Sequence, residues 1–368
     1  MVKTKIIAAY LPQFHETKEN NEFWGEGFTD WVGVKKAKPQ FRGHIQPKVP
    51  LDNKYYDLLD VNTIKWQTTL ANKYGVDGFN IYHYWFKNGK KMLNKPAELI
   101  LENKDINIKF FFSWDNCSWV RSWSSIQGNN WTPENNNGKK QCLLELDYGD
   151  EKQWEKHFNY LLPFFKDERY IRIDNKPVFA FMTSIDKKSL EKMGNYWKKL
   201  AKENGLDGLY LLSRKDEFRN KHLFDAQFLY QPPANAWGKR MAVEGRLEKY
   251  FHKKLKKDCE VKYFYDYDKV WEKILRDANN YMKSNLVLGS FVSFDDTPRR
   301  GSNARIVNGS SPEKFKKYFE KLYMKCCENN KEILLLTAWN EWGEGAYLEP
   351  DEENGYAYLE VIREITRG

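Results

Sequence analysis

The chain has 368 residues, 41% of them hydrophobic and 16% aromatic, with 14 Trp, 22 Tyr and 23 Phe. Such a composition buries a large core, which excludes intrinsic disorder, a collagen-like repeat and a coiled coil. Lys plus Arg number 60 against 51 Asp plus Glu, and this net charge of +9 is spread along the sequence rather than gathered in a block, so nucleic acid is not an expected partner.

The first apolar run, 5–11, is too short for a signal-peptide core and reads as a strand. Comparable runs follow at 78–84, 108–114, 177–182, 209–212, 226–230, 286–294 and 332–339. Nearly continuous apolar runs of this length suit strands buried on both faces of a parallel sheet. Helical patterns separate most of them, at 61–74, 151–165, 187–204, 267–283 and 312–329. Eight strands in strand-then-helix order predict an α/β fold, a single (β/α)8 TIM barrel spanning 1–368. An internal echo supports it. Gly75-Val76-Asp77-Gly78 and Gly205-Leu206-Asp207-Gly208 both follow a helix and lead into a strand, as tight turns on a barrel floor do. The long connections, 12–60, 115–150 and 231–266, follow the first, third and sixth strands. They belong on the C-terminal face, where a barrel carries its active site. No run of about 18 apolar residues occurs, so no membrane span is expected. Cys117, Cys142, Cys259, Cys326 and Cys327 form no CxxC pair. They read as free thiols in a reducing, cytoplasmic setting, without a zinc site.

Candidate site residues fall where predicted strands end. The first strand ends at Tyr10 and Gln13, with Trp24 and Trp31 further on; the second ends at His83, Tyr84 and Trp85. The third ends at Trp114, Asp115 and Asn116, and Trp119, Trp123 and Trp131 follow. Aromatic faces pack on pyranose C–H groups while amides and carboxylates bond hydroxyls, so these are candidate contacts to a carbohydrate. After the seventh strand, Asp295 and Asp296 suit sugar hydroxyls, and Arg299 or Arg300 suits an anionic group. The strongest signal is Trp339-Asn340-Glu341-Trp342-Gly343-Glu344-Gly345 after the last strand. Glycoside cleavage needs two carboxyl groups flanking one bond, and Glu341 and Glu344 supply both; Asn340 and Trp342 flank them as binding candidates. Phosphate loops, a G-x-S-x-G elbow, H-E-x-x-H and a dinucleotide fingerprint are all missing from the sequence.

Taken together, Tyr10-Leu11-Pro12-Gln13-Phe14-His15, Phe28-Thr29-Asp30-Trp31, Gly75-Val76-Asp77-Gly78-Phe79, His83-Tyr84-Trp85-Phe86, Trp114-Asp115-Asn116, Asp296-Thr297-Pro298-Arg299-Arg300 and Asn340-Glu341-Trp342-Gly343-Glu344-Gly345 resemble the WbsX-type family. Members occur in bacterial surface-polysaccharide clusters, often described as glycosyltransferases, and are grouped with glycoside hydrolase family 99-like proteins. The resemblance implies a (β/α)8 barrel. Similarity to the family 99 endo-acting α-mannosidases centres on their N-E-W-x-E-G motif, with Gly343 where that family usually has His. It implies that Glu341 assists the sugar 2-hydroxyl in attacking its own anomeric carbon, and that Glu344 is the general acid/base. The expected function is a retaining glycoside hydrolase acting on a bacterial polysaccharide or an oligosaccharide from it. The alternatives are a glycosyltransferase of O-antigen or capsular polysaccharide biosynthesis and an inactive carbohydrate-binding barrel. No cofactor and no metal are expected, because a two-carboxylate mechanism needs neither.

Overall fold

The computed structural model of the chain describes residues 3–120, 142–183, 186–215, 223–237, 246, 250, 261 and 263–367. Trp123, Trp131 and Cys259, singled out above, lie outside the described residues. Eight strands, β1 (Lys5–Tyr10), β2 (Gly78–Phe86), β3 (Lys109–Trp114), β4 (Lys176–Phe181), β5 (Tyr210–Arg214), β6 (Ala226–Phe228), β7 (Leu288–Phe291) and β8 (Ile333–Thr337), pair in parallel. Their order is β6-β5-β4-β3-β2-β1-β8-β7. A parallel bridge between Phe228 and Val287 joins the two ends. There the Val287 N–H donates to the Gln227 carbonyl at 2.8 Å, and the Leu229 N–H to the Val287 carbonyl at 3.0 Å. Each strand therefore lies beside its neighbour in sequence and the last beside the first, which is the (β/α)8 barrel expected.

Backbones approach closely at two glycines in the ring. A Cβ at Gly289 in β7 would fall on the Leu229 carbonyl oxygen, and one at Gly78 in β2 would stand 2.6 Å from the Lys109 carbonyl oxygen. Only glycine admits such contact between neighbouring strands.

The expected helices are present as α3 (Val61–Tyr74), α5 (Glu151–Lys166), α6 (Lys187–Glu203), α7 (Tyr267–Tyr281) and α8 (Pro312–Glu328). Asp60, Asp150, Asp186, Asp266 and Ser311 cap their first turns by accepting backbone N–H bonds. Among the described residues, four further helices of seven or more residues were not expected: α1 (Lys18–Trp24) and α2 (Asp30–Lys36) in the long first loop, α4 (Lys95–Glu102) between β2 and β3, and α9 (Ala357–Arg367) after β8. The echoed turns also form. Gly75 and Gly205 take φ of 85° and 81°, and the Asp77 carboxylate accepts the Ile6 N–H at 2.8 Å, fastening the barrel floor to β1.

The expected strand 286–294 divides. β7 ends at Phe291, and Phe294–Asp295 turns to pair with Arg305–Asn308 in a separate three-stranded sheet that includes Tyr263–Asp266. The apolar run is continuous, but its pairing partner changes, and periodicity carries no sign of that. Among the described residues, no helix is long and apolar enough to cross a membrane.

Candidate active site

Residues just past the C-terminal ends of the strands enclose a cavity of about 270 Å³. β1 leads to Leu11 and Gln13, β2 presents Tyr82 and Tyr84, β3 leads to Asp115, and β4 to Met182. Tyr230 follows β6, Arg299 and Arg300 follow β7, and Glu341, Gly343 and Glu344 follow β8. The first loop adds Trp24, Phe28 and Asp30. Trp24 and Phe28 stack with centroids 5.7 Å apart and give the cavity its aromatic wall.

The glutamates ride on a tight turn. Asn340–Glu341 pairs antiparallel with Ala346–Tyr347, and Trp342–Glu344 makes one helical turn between them. Gly345 closes it at φ 55°, where a side chain would also press on the Asp295 backbone. Asn340 holds the turn to β1: its side-chain oxygen accepts the Leu11 N–H at 2.7 Å and its amide donates to the Leu11 carbonyl at 3.0 Å. Trp342 holds it from below. Its ring stacks on Tyr347 at 3.7 Å, and its Nε1–H donates to Glu349 at 2.6 Å. Glu349 also accepts from Tyr56 and Gln67, each at 2.7 Å. Burial pushes it up to about 7 against the pull of those donors.

One guanidinium serves both glutamates. Arg299 Nη1 donates to Glu344 Oε1 at 2.7 Å, and Nη2 to Glu341 Oε2 at 3.1 Å and Asp30 Oδ2 at 3.3 Å. Glu341 is 3% exposed, whereas the Glu344 side chain is 25% exposed. Burial raises Glu341 to about 8, with Arg299 opposing the shift and Glu344 and Asp30 adding to it. Asp115 is raised by burial to about 6 and accepts a bond from the Cys117 thiol at 3.3 Å. The Tyr82 and Tyr230 hydroxyls are 2.9 Å apart. Burial holds Tyr82, Tyr84 and Tyr230 well above the ordinary phenol value, so the cavity is lined by neutral hydroxyls. The site thus offers paired carboxylates, hydroxyl donors and an aromatic face, the elements that bind and cleave a sugar.

Of the residues expected from the sequence, Gln13, Trp24, Tyr84, Asp115, Arg299, Arg300, Glu341 and Glu344 line this cavity. The others do not. Tyr10 is buried, donating to Gln67 at 2.8 Å, and Trp31 is buried, donating to the Tyr56 carbonyl at 2.8 Å. His83 lies outside the barrel wall, its Nε2 2.7 Å from that of His157, and burial lowers it to about 3. Trp85 stacks on His157 at 4.2 Å, and Trp114 donates to the Trp85 carbonyl at 3.2 Å. Trp119 is buried as well. Asn116 ties β3 to β4 by accepting the Met182 and Thr183 N–H groups. Asn340 and Trp342 support the turn as described. Asp295 accepts from His44 Nε2 at 2.7 Å, from Gln46 at 2.6 Å and from the Thr297 N–H at 3.0 Å. The His44 Nδ1 accepts the Gln40 N–H, so Nε2 carries the proton. Asp296 accepts from the Arg305 N–H and from Arg300. Both aspartates brace the short helical turn Thr297–Arg300 that carries Arg299.

Asp30, Tyr82 and Tyr230, which line the cavity, and Glu349, which holds Trp342, were not among the site residues expected from the sequence. Tyr82 had a signal: it shares a strand face with Tyr84, while His83 and Trp85 share the other.

Residues 6–362 match the family described as "Glycosyltransferase WbsX". Two proteins of Xanthomonas campestris pv. campestris, both described as "Uncharacterized protein WxcX", are 27% and 28% identical over 98% of this chain. The chain spans 50% of the length of each. The GH99 endo-alpha-mannosidase of Bacteroides thetaiotaomicron is 14% identical at a TM-score of 0.57, with 99% of this chain and 97% of that one covered. A structure described as "Glycoside hydrolase-like protein" is 14% identical at a TM-score of 0.61, over 100% of this chain and 95% of that one. At these identities the likeness is one of fold.

Proposed function

The chain belongs to the WbsX family, and from that membership and the site's geometry we propose that it is a glycoside hydrolase acting on a bacterial surface polysaccharide or a fragment of one. The observation that carries this reading is the pair Glu341 and Glu344, side by side on one turn and bridged by one guanidinium at the edge of the cavity.

In this reading the sugar rests against the Trp24–Phe28 wall, with its hydroxyls bonded by Tyr82, Tyr84, Tyr230 and Asp115. Glu341 takes the proton of the 2-hydroxyl as that oxygen bonds to the anomeric carbon. The bond to the leaving oxygen breaks in the same step, and Glu344 gives that oxygen its proton. Water then attacks the anomeric carbon and passes a proton to Glu344. The 2-oxygen leaves that carbon and recovers its proton from Glu341. Two inversions retain the configuration. A base with an affinity for protons raised by burial suits abstraction from an alcohol.

The family's description favours a second reading, glycosyl transfer, in which an acceptor hydroxyl takes the place of water. Incubation with defined surface polysaccharides, and separately with nucleotide sugars and acceptors, distinguishes the two. Hydrolysis predicts new reducing ends without added nucleotide sugar, the first-formed anomer matching the substrate by NMR. Nucleotide release with an extended acceptor, and no new reducing ends, would replace it with transfer. Saccharide binding with no turnover in either assay would leave a carbohydrate-binding barrel.

A further inference from the structure

The turn that carries the glutamates has a gap in it. A Cβ at Gly343 would collide with Asp30 Oδ2 and stand 2.6 Å from Arg299 Nε. The Asp30–Arg299 pair therefore occupies the volume that any larger residue between the two glutamates would fill. Arg299 reaches that volume from the turn Thr297–Arg300, and Asp30 from the first residue of α2. The guanidinium directs one terminal nitrogen to each glutamate.

We infer that Arg299, seated on Asp30 in the space left by Gly343, is the positioning residue of the glutamate pair: its two terminal nitrogens set the mutual orientation of Glu341 and Glu344. Its role rests on the proposed hydrolysis, but its effect on the glutamates does not. A fixed fork with separate nitrogens for two carboxylates constrains both, which a lysine ammonium cannot reproduce. The donors that the sequence offered to an anionic group on the substrate are engaged by the protein's own carboxylates.

The surrounding groups isolate the effect. Asp115 and Asp296 are acids whose charge adds to that of Glu344, Tyr82, Tyr84 and Tyr230 stay neutral, and Arg300 is held by Asp296. Arg299 bonds both glutamates and holds Glu341 down against burial, so removing it moves the Glu341 titration upward.

The test uses the full chain labelled with 13C at the Glu carboxyls, the Glu341 signal assigned with Glu341→Gln. Arg299→Met is expected to shift the Glu341 titration to higher pH. On a polysaccharide that the wild type cleaves, it moves the acid limb of kcat/KM upward and lowers kcat by about 10²-fold, with a smaller change in KM. Arg299→Lys restores the Glu341 titration in part but not kcat. Gly343→Ala, which adds one methyl group against the Asp30–Arg299 pair, shifts the same signal in the same direction if Arg299→Met does not fold. An unmoved Glu341 titration and an unmoved pH profile in a folded Arg299→Met or Gly343→Ala protein overturn the inference while leaving hydrolysis standing. A shifted titration in a protein that cleaves no saccharide upholds it and removes the hydrolase reading instead.

Discussion

Glu341 and Glu344 are three positions apart and share one arginine, yet differ in exposure: 3% for Glu341 and 25% for the Glu344 side chain. Their proposed roles make the two amide variants distinguishable. Glu344→Gln is expected to lose about 10²–10⁴-fold in rate, and less on aryl glycosides whose leaving group needs no proton. Glu341→Gln is expected to lose rate on every substrate, because assistance to the nucleophile is needed whatever leaves. Steady-state rates on a natural and an activated glycoside check both. Folded variants that keep wild-type turnover would displace the chemistry to Asp115 or another carboxylate. Glu341 also has a stability consequence. Burial raises its folded pKa from the unfolded value near 4.5 to about 8. Between those values the folded chain binds more protons than the unfolded one, so this group lowers stability as pH rises through that window. Thermal melts from pH 5 to 8 should therefore show Glu341→Gln gaining on the parent as the pH increases. A gap that stays constant or closes would contradict the assigned environment.

Among the secondary-structure elements, β2 places two tyrosines in the cavity wall. All nine of its residues are buried, so hydrophobicity does not separate its faces. Alternation does: Tyr82 and Tyr84 face the cavity, while His83 and Trp85 pack against His157 of α5. The end of α4 shows a different device. Arg169 donates to the Ile100 carbonyl of α4 and to the Asn103 and Ile106 carbonyls beyond it, and pairs with Asp167 through two bonds of 2.9 Å. Burial alone would raise Asp167, but the bonds from Arg169 and Lys104 outweigh it and hold the carboxyl well below its usual range. Removing Arg169 leaves the helix-end carbonyls without their donor and the buried Asp167 with Lys104 as its remaining cation. Arg169→Met should cost about 3–5 kcal/mol in urea denaturation at pH 7. A loss below about 1 kcal/mol would mean that water replaces the guanidinium there.

The barrel as a whole depends on its seam. β6 is three residues long, and its link to β7 runs through one bridge. Gly289 faces the Leu229 carbonyl there with no room for a methyl group. Gly289→Ala should force the strands apart and lower stability by about 1–3 kcal/mol, the usual range for overpacking, or more if the seam opens. Chemical denaturation measures the loss. The turn carrying the glutamates follows β8, the strand paired with β7, and is held through Asn340 to the backbone of Leu11. Unchanged stability in Gly289→Ala would mean that the ring tolerates a wider gap between β6 and β7.

Local pattern carried the eight strands, the strand-then-helix order, the floor turns at Gly75 and Gly205, and the placing of Glu341 and Glu344 on a turn after the last strand. Each of these is written in neighbouring residues: an apolar run, a capping residue, a glycine with positive φ. The same local reading brought His83, Trp85 and Trp114 toward the site because they are aromatic residues at strand ends. Which of them face the cavity follows from the side of the strand on which each lies. The Arg299 clamp was not legible, since its partner Asp30 is 269 positions away and Glu341 is 42. The support of Asn340 by Leu11 spans 329 positions. Closing the ring brings such distant residues within hydrogen-bond reach, and the energy of those contacts depends on angles and burial that exist only once the strands have paired. Composition and spacing therefore identified the two carboxylates; folding alone placed one guanidinium against both and made Gly343 the residue that leaves room for it.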